Sequence, residues 1–445
     1  MQAVKDYLYL TKNRKKLSRA QIEALQLKSL QNIVEYAKAH SLFYQDLYGN
    51  QTIQSFEDFY QLPTINKQIM MDHFSTLNTC GLIKEKVMAY AVEKELNKDF
   101  LGYYQDEYVV GLSSGTSGNK GLYITPKSMT KRLPGVFLSR GGISLSDLPL
   151  RILFCLRVFS QGFDDINAPF LKLKYISTMT NMDDVIKQIN QGKINLLMAP
   201  PSFIRQLLPR HEEIQVKLKK IITYAEVLSK SDQAVFEEAF KTKVIEIYQA
   251  SEGQIASACK AGHLHINEDL VFIELYDEAD HLIQTPHQVG HKMVLTNLIN
   301  FAQPLIRYEM NDMIVLDEPC PCGSQFRRIE KVLGRSDDNI YFFDAQHQPK
   351  IVYSDLFSRW IITTSDLIRE FQVVQDQISQ LEITLDILGD FDVDTLKTRL
   401  DAELKSLGLT GTYTFIIGTL ELPKHANKFK RFISHVKKNE SDFDR

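Results

Sequence analysis

The sequence predicts an α/β protein: a large N-terminal domain with mostly parallel sheets and flanking helices, followed by a small α+β C-terminal domain. Its 445 residues are enough for two or three domains of about 150 residues each. Between residues 108 and 250, short apolar runs alternate with polar, helix-like segments, which is typical of a parallel sheet. After Gly334 the composition changes again, and the chain ends in a basic tail.

The first fifty residues are predicted to be helical. Ser18 and Gln21 have the spacing of a capping box, and apolar residues from Ile22 to Ala37 recur at helical intervals. This pattern indicates an ordinary packed helix, and we assign it no catalytic role.

The alternating region contains four strand-like runs and at least two helix-like segments. The strand-like runs are 151–156, 172–176, 194–199 and 244–248, and the helix-like segments are 183–191 and 232–240. In sheets of this kind ligands usually bind beyond the carboxyl ends of the strands. The loops that follow these runs are therefore candidate ligand-binding loops.

The C-terminal domain is predicted from strand-like runs at 371–375, 381–385 and 413–418 and a helix-like segment at 393–407. The polar run Gly-Arg-Ser-Asp-Asp at 334–338 suits a hinge at Asp337. We therefore predict domains at 1–336 and 337–445.

Composition excludes several classes of protein. The chain has 52 basic and 55 acidic residues, a net charge of −3, so no global field favours nucleic acid or a membrane surface as a partner. Its longest apolar stretches, such as 194–201, are far shorter than the ~20 residues that a membrane span needs. Five cysteines are too few for a disulfide scaffold. These features favour a cytoplasmic protein.

Glycine is concentrated in one segment, because Gly111, Gly115, Gly118 and Gly121 fall within eleven residues. Glycines alternating with hydroxyl residues allow backbone N–H groups to converge on phosphate oxygens, and Lys120 adds a donor. The segment is not a Walker A loop, since it contains no Gly-Lys pair. The alternative interpretation is a surface loop.

Six segments stand in a characteristic order along the chain: 113–120, Tyr224-Ala-Glu226, Tyr248-Gln-Ala-Ser-Glu252, Arg307-Tyr-Glu-Met-Asn-Asp312, 334–338 and 423–431. Their order resembles that of the adenylate-forming ligase superfamily, whose members activate a carboxylate with ATP as an acyl-adenylate. The residues of the glycine loop and the early segments 41–44 and 62–67 resemble the branch of phenylacetate–CoA ligases and of synthetases that adenylate a deazaflavin coenzyme.

The resemblance implies a role for each motif residue. Glu252 would hold Mg²⁺, because a hard cation prefers carboxylate oxygen, and Tyr248 would stack on adenine. Asp312 would accept hydrogen bonds from the ribose hydroxyls, and Arg335 would contact phosphate. Lys428 would bridge the substrate carboxylate and the α-phosphate, so that Lys428, Glu252 and Arg335 form the catalytic set. The ATP-binding set is Ser113, Ser114, Gly115, Thr116, Ser117, Gly118, Lys120, Ala225, Glu226, Tyr248, Gln249, Ser251, Asp312 and Arg335.

Each role has an alternative. A lone carboxylate in a loop is often a solvated charge, and Lys428 lies in a lysine-rich tail that could be a solvated basic face. The sequence also departs from the family pattern, because Lys120 stands one place earlier than the usual loop lysine. Residues 339–344 replace the segment that helps to shape the thiol-accepting conformation, so thioester formation is less firmly implied than adenylation.

Three of the five cysteines lie in one third of the chain. Cys259, His265, Cys320 and Cys322 form a Cys-x5-His and a Cys-Pro-Cys-Gly knuckle, four ligands of the kind that a closed tetrahedral Zn²⁺ site uses. Ligases of the phenylacetate branch have a Cys/His cluster in the same place, which implies a structural metal. The alternative is a set of unconnected buried thiols.

We therefore expect ATP-dependent adenylation of a small-molecule carboxylic acid, with ATP, Mg²⁺ and a structural Zn²⁺ as cofactors. The acyl group would then pass to a thiol, either coenzyme A or an acyl carrier protein. Two alternatives remain: AMP transfer to a hydroxyl acceptor without a thioester, and a nucleotide-binding protein without turnover. A monomer and a dimer are both compatible with the sequence.

Overall fold

The computed structural model describes residues 2–97, 101–112, 121–156, 165–178, 180–335, 338–362, 364–365, 367–420 and 430–436. The chain divides into two compact units, each of which is described separately. The first unit comprises Met1–Met310 and Leu316–Glu330, and the second comprises Asn311–Val315 and Lys331–Arg445. The predicted class is confirmed, since the first unit is a mixed α/β fold and the second is α+β.

The first unit opens with helices, as the sequence predicts. The Oγ atom of Ser18 accepts from the backbone N–H of Gln21 at 3.3 Å, and the Gln21 side chain accepts from the Ser18 N–H at 3.0 Å. This capping box begins α2, whose apolar face is buried. The helices are α1 (Gln2–Lys16), α2 (Arg19–His40), α3 (Leu42–Tyr48), α4 (Phe56–Tyr60), α5 (Lys67–Asp72), α6 (Phe74–Leu77), α7 (Lys84–Leu96), α8 (Lys127–Thr130) and α9 (Leu133–Arg140).

Helices α1 and α9 approach each other closely at Gly135. A Cβ atom at this position would collide with the carbonyl oxygen of Ala3 and lie 2.9 Å from the Cβ atom of Asp6. Only a residue without a side chain fits between these two backbones.

Four of the five parallel strands in the main sheet correspond to the strand-like runs of the sequence, and the fifth, Lys220–Thr223, was not predicted. Strands β4, β3, β5, β6 and β7 are mutually parallel in that order. An antiparallel extension, which the sequence did not predict, continues through β8, β9 and β15. The strands are β1 (Tyr108–Leu112), β2 (Leu122–Pro126), β3 (Leu150–Leu156), β4 (Leu171–Ser177), β5 (Leu196–Met198), β6 (Lys220–Thr223), β7 (Val244–Ala250), β8 (Gly253–Ala258), β9 (Leu264–Ile266), β10 (Val271–Tyr276), β11 (Val289–Gly290), β12 (Lys292–Asn297), β13 (Tyr308–Met310), β14 (Asp312–Asp317) and β15 (Arg328–Arg335).

Three further helices flank the parallel strands: α10 (Met182–Gln191), α11 (Pro201–Leu207) and α12 (Lys230–Phe240). Val185 and Ile189 of α10 are spaced four apart, so they share one helix face, and both pack in a core with Leu153 and Leu197 of the sheet. Short 3-10 helices occur at Leu145–Asp147 and Leu208–Glu213. A separate antiparallel sheet has the order β10-β12-β13, and β1 pairs with β2 as a hairpin.

The second unit is built on a four-stranded sheet of order β20-β19-β18-β21, in which β18 and β19 are antiparallel and the outer pairs are parallel. Its core includes Phe342, Phe357 and Leu400. The remaining elements are β16 (Ile340–Phe343), β17 (Pro349–Val352), α13 (Ser354–Ile362), β18 (Ile368–Gln377), β19 (Gln380–Ile387), α14 (Val393–Ser406), β20 (Thr412–Ile417) and β21 (Phe432–Ser434).

Among the described residues, none of the helices combines the length and the apolar character that crossing a bilayer would require.

Candidate functional site

Two of the predicted ATP-binding segments follow neighbouring parallel strands. Tyr224-Ala-Glu226 comes directly after β6, and Tyr248–Glu252 spans the end of β7 and the turn into β8. Because parallel strands end at the same edge of a sheet, both segments lie where ligands bind in open α/β folds.

Ala225 has a φ of 65°, in the left-handed region that residues with a Cβ atom seldom adopt. On one side of it, the Tyr224 hydroxyl donates to the carbonyl oxygen of Cys155, which anchors the ring in the core. On the other side, the Glu226 carboxylate accepts from the N–H of Ser202 at 3.0 Å and from its hydroxyl at 2.7 Å. The flanking side chains therefore hold the strained backbone in place. Glu226 is engaged at the start of α11 through both carboxylate oxygens.

The pairing of β7 with β8 contains a β-bulge beside the Tyr248–Glu252 segment. Tyr248 pairs with Ala256 and Ala250 pairs with Gly253, so the register shifts at Gln249. Bulges of this kind re-aim side chains and are frequent next to active sites. Gln249 and Ser251 are exposed, whereas Tyr248 and Glu252 are half-buried.

Glu252 is fixed through both its backbone and its side chain. Its carbonyl oxygen accepts from the Asn297 amide at 2.8 Å. Its Oε1 atom accepts from the Tyr123 hydroxyl at 2.6 Å, and that hydroxyl lies 3.2 Å from the hydroxyl of Tyr308. Burial and the nearby Glu252 carboxylate raise the pKa of Tyr123 and of Tyr308 far above the ordinary tyrosine value, so both remain protonated. Tyr123 lies outside every motif of the sequence.

Arg307, the first residue of the Arg307–Asp312 motif, is a buried structural residue. Its guanidinium donates to the Glu274 carboxylate at 2.8 and 3.2 Å and to the Tyr276 hydroxyl at 2.7 Å. Its backbone has a φ of 49° and its N–H donates to Thr296. The conformation of the segment that leads to Tyr308 is thereby determined.

Asp312 and Arg335, both in the second unit, are close together. The Nε atom of Arg335 lies 3.9 Å from an oxygen of Asp312. The residue predicted to bind ribose and the residue predicted to bind phosphate therefore form an ion pair in this structure.

Several predicted site residues lie outside the described residues. They are the phosphate loop Ser113, Ser114, Gly115, Thr116, Ser117, Gly118 and Lys120, the hinge residue Asp337, and Lys428. Their roles stay predictions from the sequence.

The four predicted zinc ligands are brought together. One ligand atom from each of Cys259, His265, Cys320 and Cys322 lies within 4.8 Å of all the others. Two tight turns supply three of them, and each turn contains a glycine at positive φ, Gly262 at 85° and Gly323 at 87°. Because β9 pairs with β15, the His265 backbone lies opposite Arg328 and the two turns come close together.

The imidazole of His265 is oriented for metal binding. Its Nδ1–H donates to the carbonyl oxygen of Phe326 at 2.9 Å, so the Nε2 lone pair faces the Sγ atom of Cys322 at 3.6 Å. Burial opposes ionisation of Cys259, but its contact with His265 and hydrogen bonds from the backbone N–H groups of His263 and Ala261 outweigh burial and lower the thiol pKa to about 6. Three sulfurs and one imidazole nitrogen fit a tetrahedral zinc site.

A network of buried charges surrounds this cluster, and most of it was not predicted. Arg14 of α1 donates to the carbonyl oxygen of Ser257 at 2.8 Å. Glu268 is fully buried, and its carboxylate accepts hydrogen bonds from the guanidinium groups of Arg19 at 2.8 Å and of Arg327 at 2.9 Å. Burial would raise the pKa of Glu268, but Arg327 and Arg19 outweigh that effect and lower it. In addition, the Nδ1 atom of His263 lies 3.0 Å from the Sγ atom of Cys320.

Known proteins resemble this chain in sequence and in fold. It is 23% identical over 415 residues to Protein CapK of Staphylococcus aureus, covering 86% of this chain and 88% of CapK. It is 21% identical over 401 residues to the phenylacetate-coenzyme A ligase of Thermus thermophilus, covering 84% of this chain and 83% of the ligase. No family model matches the chain.

Among solved structures, 2-hydroxyisobutyryl-CoA ligase in the postadenylation state, in complex with R3-HIB-AMP, matches with a TM-score of 0.69 and 17% identity. The match covers 97% of this chain and 92% of that one. The same ligase in complex with 2-HIB-AMP and CoA, in the thioesterification state, matches with a TM-score of 0.60 over 95% of this chain and 91% of that one.

The fold is that of the adenylate-forming acid–thiol ligases, which confirms the resemblance identified from the sequence motifs. In sequence, the chain resembles a phenylacetate-coenzyme A ligase, in agreement with the branch that the motifs indicated.

Proposed function

We propose that this protein uses ATP to adenylate a carboxylic acid, releasing pyrophosphate, and then transfers the acyl group to the thiol of coenzyme A. The observation that carries the proposal is the Glu252 carboxylate, which Tyr123 holds in the turn after β7, at the edge of the sheet where the parallel strands end. The relatives support it, since one is a phenylacetate-coenzyme A ligase and another binds an acyl-adenylate and CoA.

The residues of the first unit would divide the binding of ATP between them. The ring of Tyr248 would stack on adenine, offering a flat apolar face at low entropic cost. Glu252 would hold Mg²⁺, which when bound would neutralise charge on the ATP phosphates. The strained backbone at Ala225, at the end of the neighbouring strand, would face the nucleotide. Glu226 holds that backbone in place through its hydrogen bonds with Ser202.

The residues of the second unit would act on the ribose, the phosphates and the reacting carboxylate. Asp312 would accept from the ribose hydroxyls, and Arg335, now paired with Asp312 at 3.9 Å, would contact phosphate. Lys428 would donate to the α-phosphate oxygen as negative charge builds up there. We infer that the C-terminal domain turns about Asp337 between adenylation and thiol transfer.

We further propose that Cys259, His265, Cys320 and Cys322 hold one structural Zn²⁺. The mutual approach of their ligand atoms and the orientation of His265 by Phe326 support this assignment. Because all four positions would be taken by protein ligands, the ion would have no open position for catalysis. Its role would be to join the turn at 259–263 to the turn at 320–323.

The proposal is tested with a panel of aryl and aliphatic acids. Pyrophosphate release is measured with and without coenzyme A, and the products are identified by mass spectrometry. We expect Mg²⁺-dependent release for some acids and an acyl-CoA product when coenzyme A is present. An AMP ester of a hydroxyl compound without a thioester would support the adenylyl-transfer alternative. No release with any acid would support the nucleotide-binding alternative.

Glu252→Gln is the matched site variant, because it removes the charge and keeps the shape. We expect its pyrophosphate release to fall at least 10²-fold, the cost typical of losing one group that stabilises developing charge. Exposed Glu238→Gln is the control and should behave as wild type.

A further inference from the structure

A tyrosine outside every motif contacts the carboxylate that we assign to Mg²⁺. Tyr123 lies on β2, where it pairs with Gly111 of β1. Its hydroxyl donates to the Oε1 atom of Glu252 at 2.6 Å. A hydrogen bond of this length to a carboxylate is charge-assisted and about twice as strong as one between neutral groups.

The direction of this hydrogen bond is fixed by its surroundings. The Tyr123 hydroxyl has one proton, which it donates to Glu252, so it can only accept from the Tyr308 hydroxyl at 3.2 Å. Both rings are buried, at 6% and 2% exposure, and cannot rotate away without opening the core. The two tyrosines therefore form a chain of donors that ends on Glu252.

The backbone of Glu252 is held independently. Asn297 donates to its carbonyl oxygen at 2.8 Å, and a Cβ atom at the next residue, Gly253, would lie 3.0 Å from the side chain of Val271. With the main chain fixed in this way, the remaining freedom of Glu252 is the rotation of its own side chain. The hydrogen bond from Tyr123 restricts this rotation.

We propose that Tyr123 is a positioning residue that orients the Glu252 carboxylate for Mg²⁺. The inference rests on the proposed function, in which Glu252 binds the metal. Mg²⁺ requires nearly ideal octahedral geometry, so it penalises a ligand that is free to turn. Hydrogen bonds to metal ligands from outside the coordination sphere typically contribute 10–100-fold to metal affinity.

The test measures how much Mg²⁺ tightens the binding of ATP. Isothermal titration calorimetry gives the Kd for ATP in EDTA and in Mg²⁺. The Kd in EDTA divided by the Kd in Mg²⁺ is the Mg²⁺ ratio, and it reports the contact between the metal and the protein. It requires no acid substrate. In Tyr123→Phe, which keeps the ring and removes the hydroxyl, we expect this ratio to fall about 10-fold.

Two further variants separate positioning from a loss of stability. Tyr44→Phe removes another buried hydroxyl, which donates to Pro304 at 2.7 Å, and should lower the Tm while leaving the Mg²⁺ ratio unchanged. Tyr308→Phe keeps the bond from Tyr123 to Glu252, so its ratio should fall less than that of Tyr123→Phe. An equal fall of the ratio in Tyr308→Phe and in Tyr123→Phe would contradict the proposal.

If the wild-type ratio is above one and Tyr123→Phe has the same ratio, the positioning role is overturned and the role of Glu252 stands. A wild-type ratio of one would overturn both, because Mg²⁺ would then make no contact with the protein.

Discussion

The carboxylate of Glu268 shows how much a single buried charge depends on its partners. It is inaccessible to solvent and is held by Arg19, by the side chain of Arg327 and by the Arg327 N–H at 2.9 Å. In the sequence it stands three residues after His265, and no role was predicted for it. Its arginine partners lie 249 and 59 positions away, and no local pattern records such distances.

Glu268→Gln should lower the free energy of unfolding by about 2–3 kcal/mol. Breaking a fully buried pair costs about 3–5 kcal/mol, and both arginines here keep part of their hydration, with side chains 36% and 28% exposed. Urea unfolding at pH 7 measures the difference. The exposed Glu238→Gln variant should change it by less than about 0.5 kcal/mol.

The contribution of Glu268 should also depend on pH. Its pKa is lowered in the folded protein, so its stabilising effect is fully present above the unfolded value of about 4.3 and is lost as the pH falls through the folded pKa. The difference in stability between wild type and Glu268→Gln should therefore shrink only in acid, below about pH 4. A constant difference down to pH 3 would show that shape, and not charge, sets the effect.

At the site itself, Lys428→Ala should reduce the rate of adenylation by roughly 10²–10³, as for one lost donor to a developing oxyanion. Lys405→Ala, at an exposed position of α14, is the control and should keep the wild-type rate. Single-turnover pyrophosphate release measures both. Wild-type adenylation by Lys428→Ala would mean that the lysine has been misassigned.

At the scale of elements, locally encoded features were predictable. The capping box at Ser18 needs only four consecutive residues, and the parallel strands β3, β4, β5 and β7 follow from apolar runs separated by helices. Strand β6 was not predicted. The antiparallel extension through β8, β9 and β15 was not predicted. Strand β15 pairs with β9 across more than 60 residues, and neither strand contains information about its partner.

The contact between α1 and α9 gives a prediction for Gly135→Ala. The added methyl group would meet the Ala3 carbonyl and the Asp6 side chain, so the helices must separate, at a cost of about 1–3 kcal/mol. Thermal unfolding and the rate of proteolysis near the N-terminus measure this effect. Gly111→Ala is the control, since a Cβ atom there would have nothing within 4 Å.

The two cysteine turns give a second prediction at this scale. If they bind zinc, elemental analysis should find about one Zn per chain, and chelation should lower the Tm. Cys320→Ser should lose the metal, whereas Cys80→Ser, at a half-buried position outside the cluster, should keep it. If the wild-type protein contains no zinc, and chelation leaves its Tm unchanged, the zinc site is wrong.

At the scale of the whole molecule, the sequence pointed to candidate site residues but not to the contacts that hold them. The motif order pointed to Glu252, to Asp312 and to the four candidate zinc ligands, because chemistry restricts residue type and spacing. The supports remained hidden: Tyr123 lies 129 positions from Glu252, and Arg14 lies 243 positions from Ser257. Such contacts arise from the fold, and a single sequence does not record them.

The second unit is not one continuous stretch of chain, because the short segment Asn311–Val315 clusters with Lys331–Arg445. A chimaera made by one crossover after Glu330 would therefore inherit its C-terminal part from one parent and Asp312 from the other. Arg335 would meet a carboxylate that did not evolve beside it. Productive recombination among such ligases should accordingly require a pair of exchanges, with the five-residue segment travelling together with the tail.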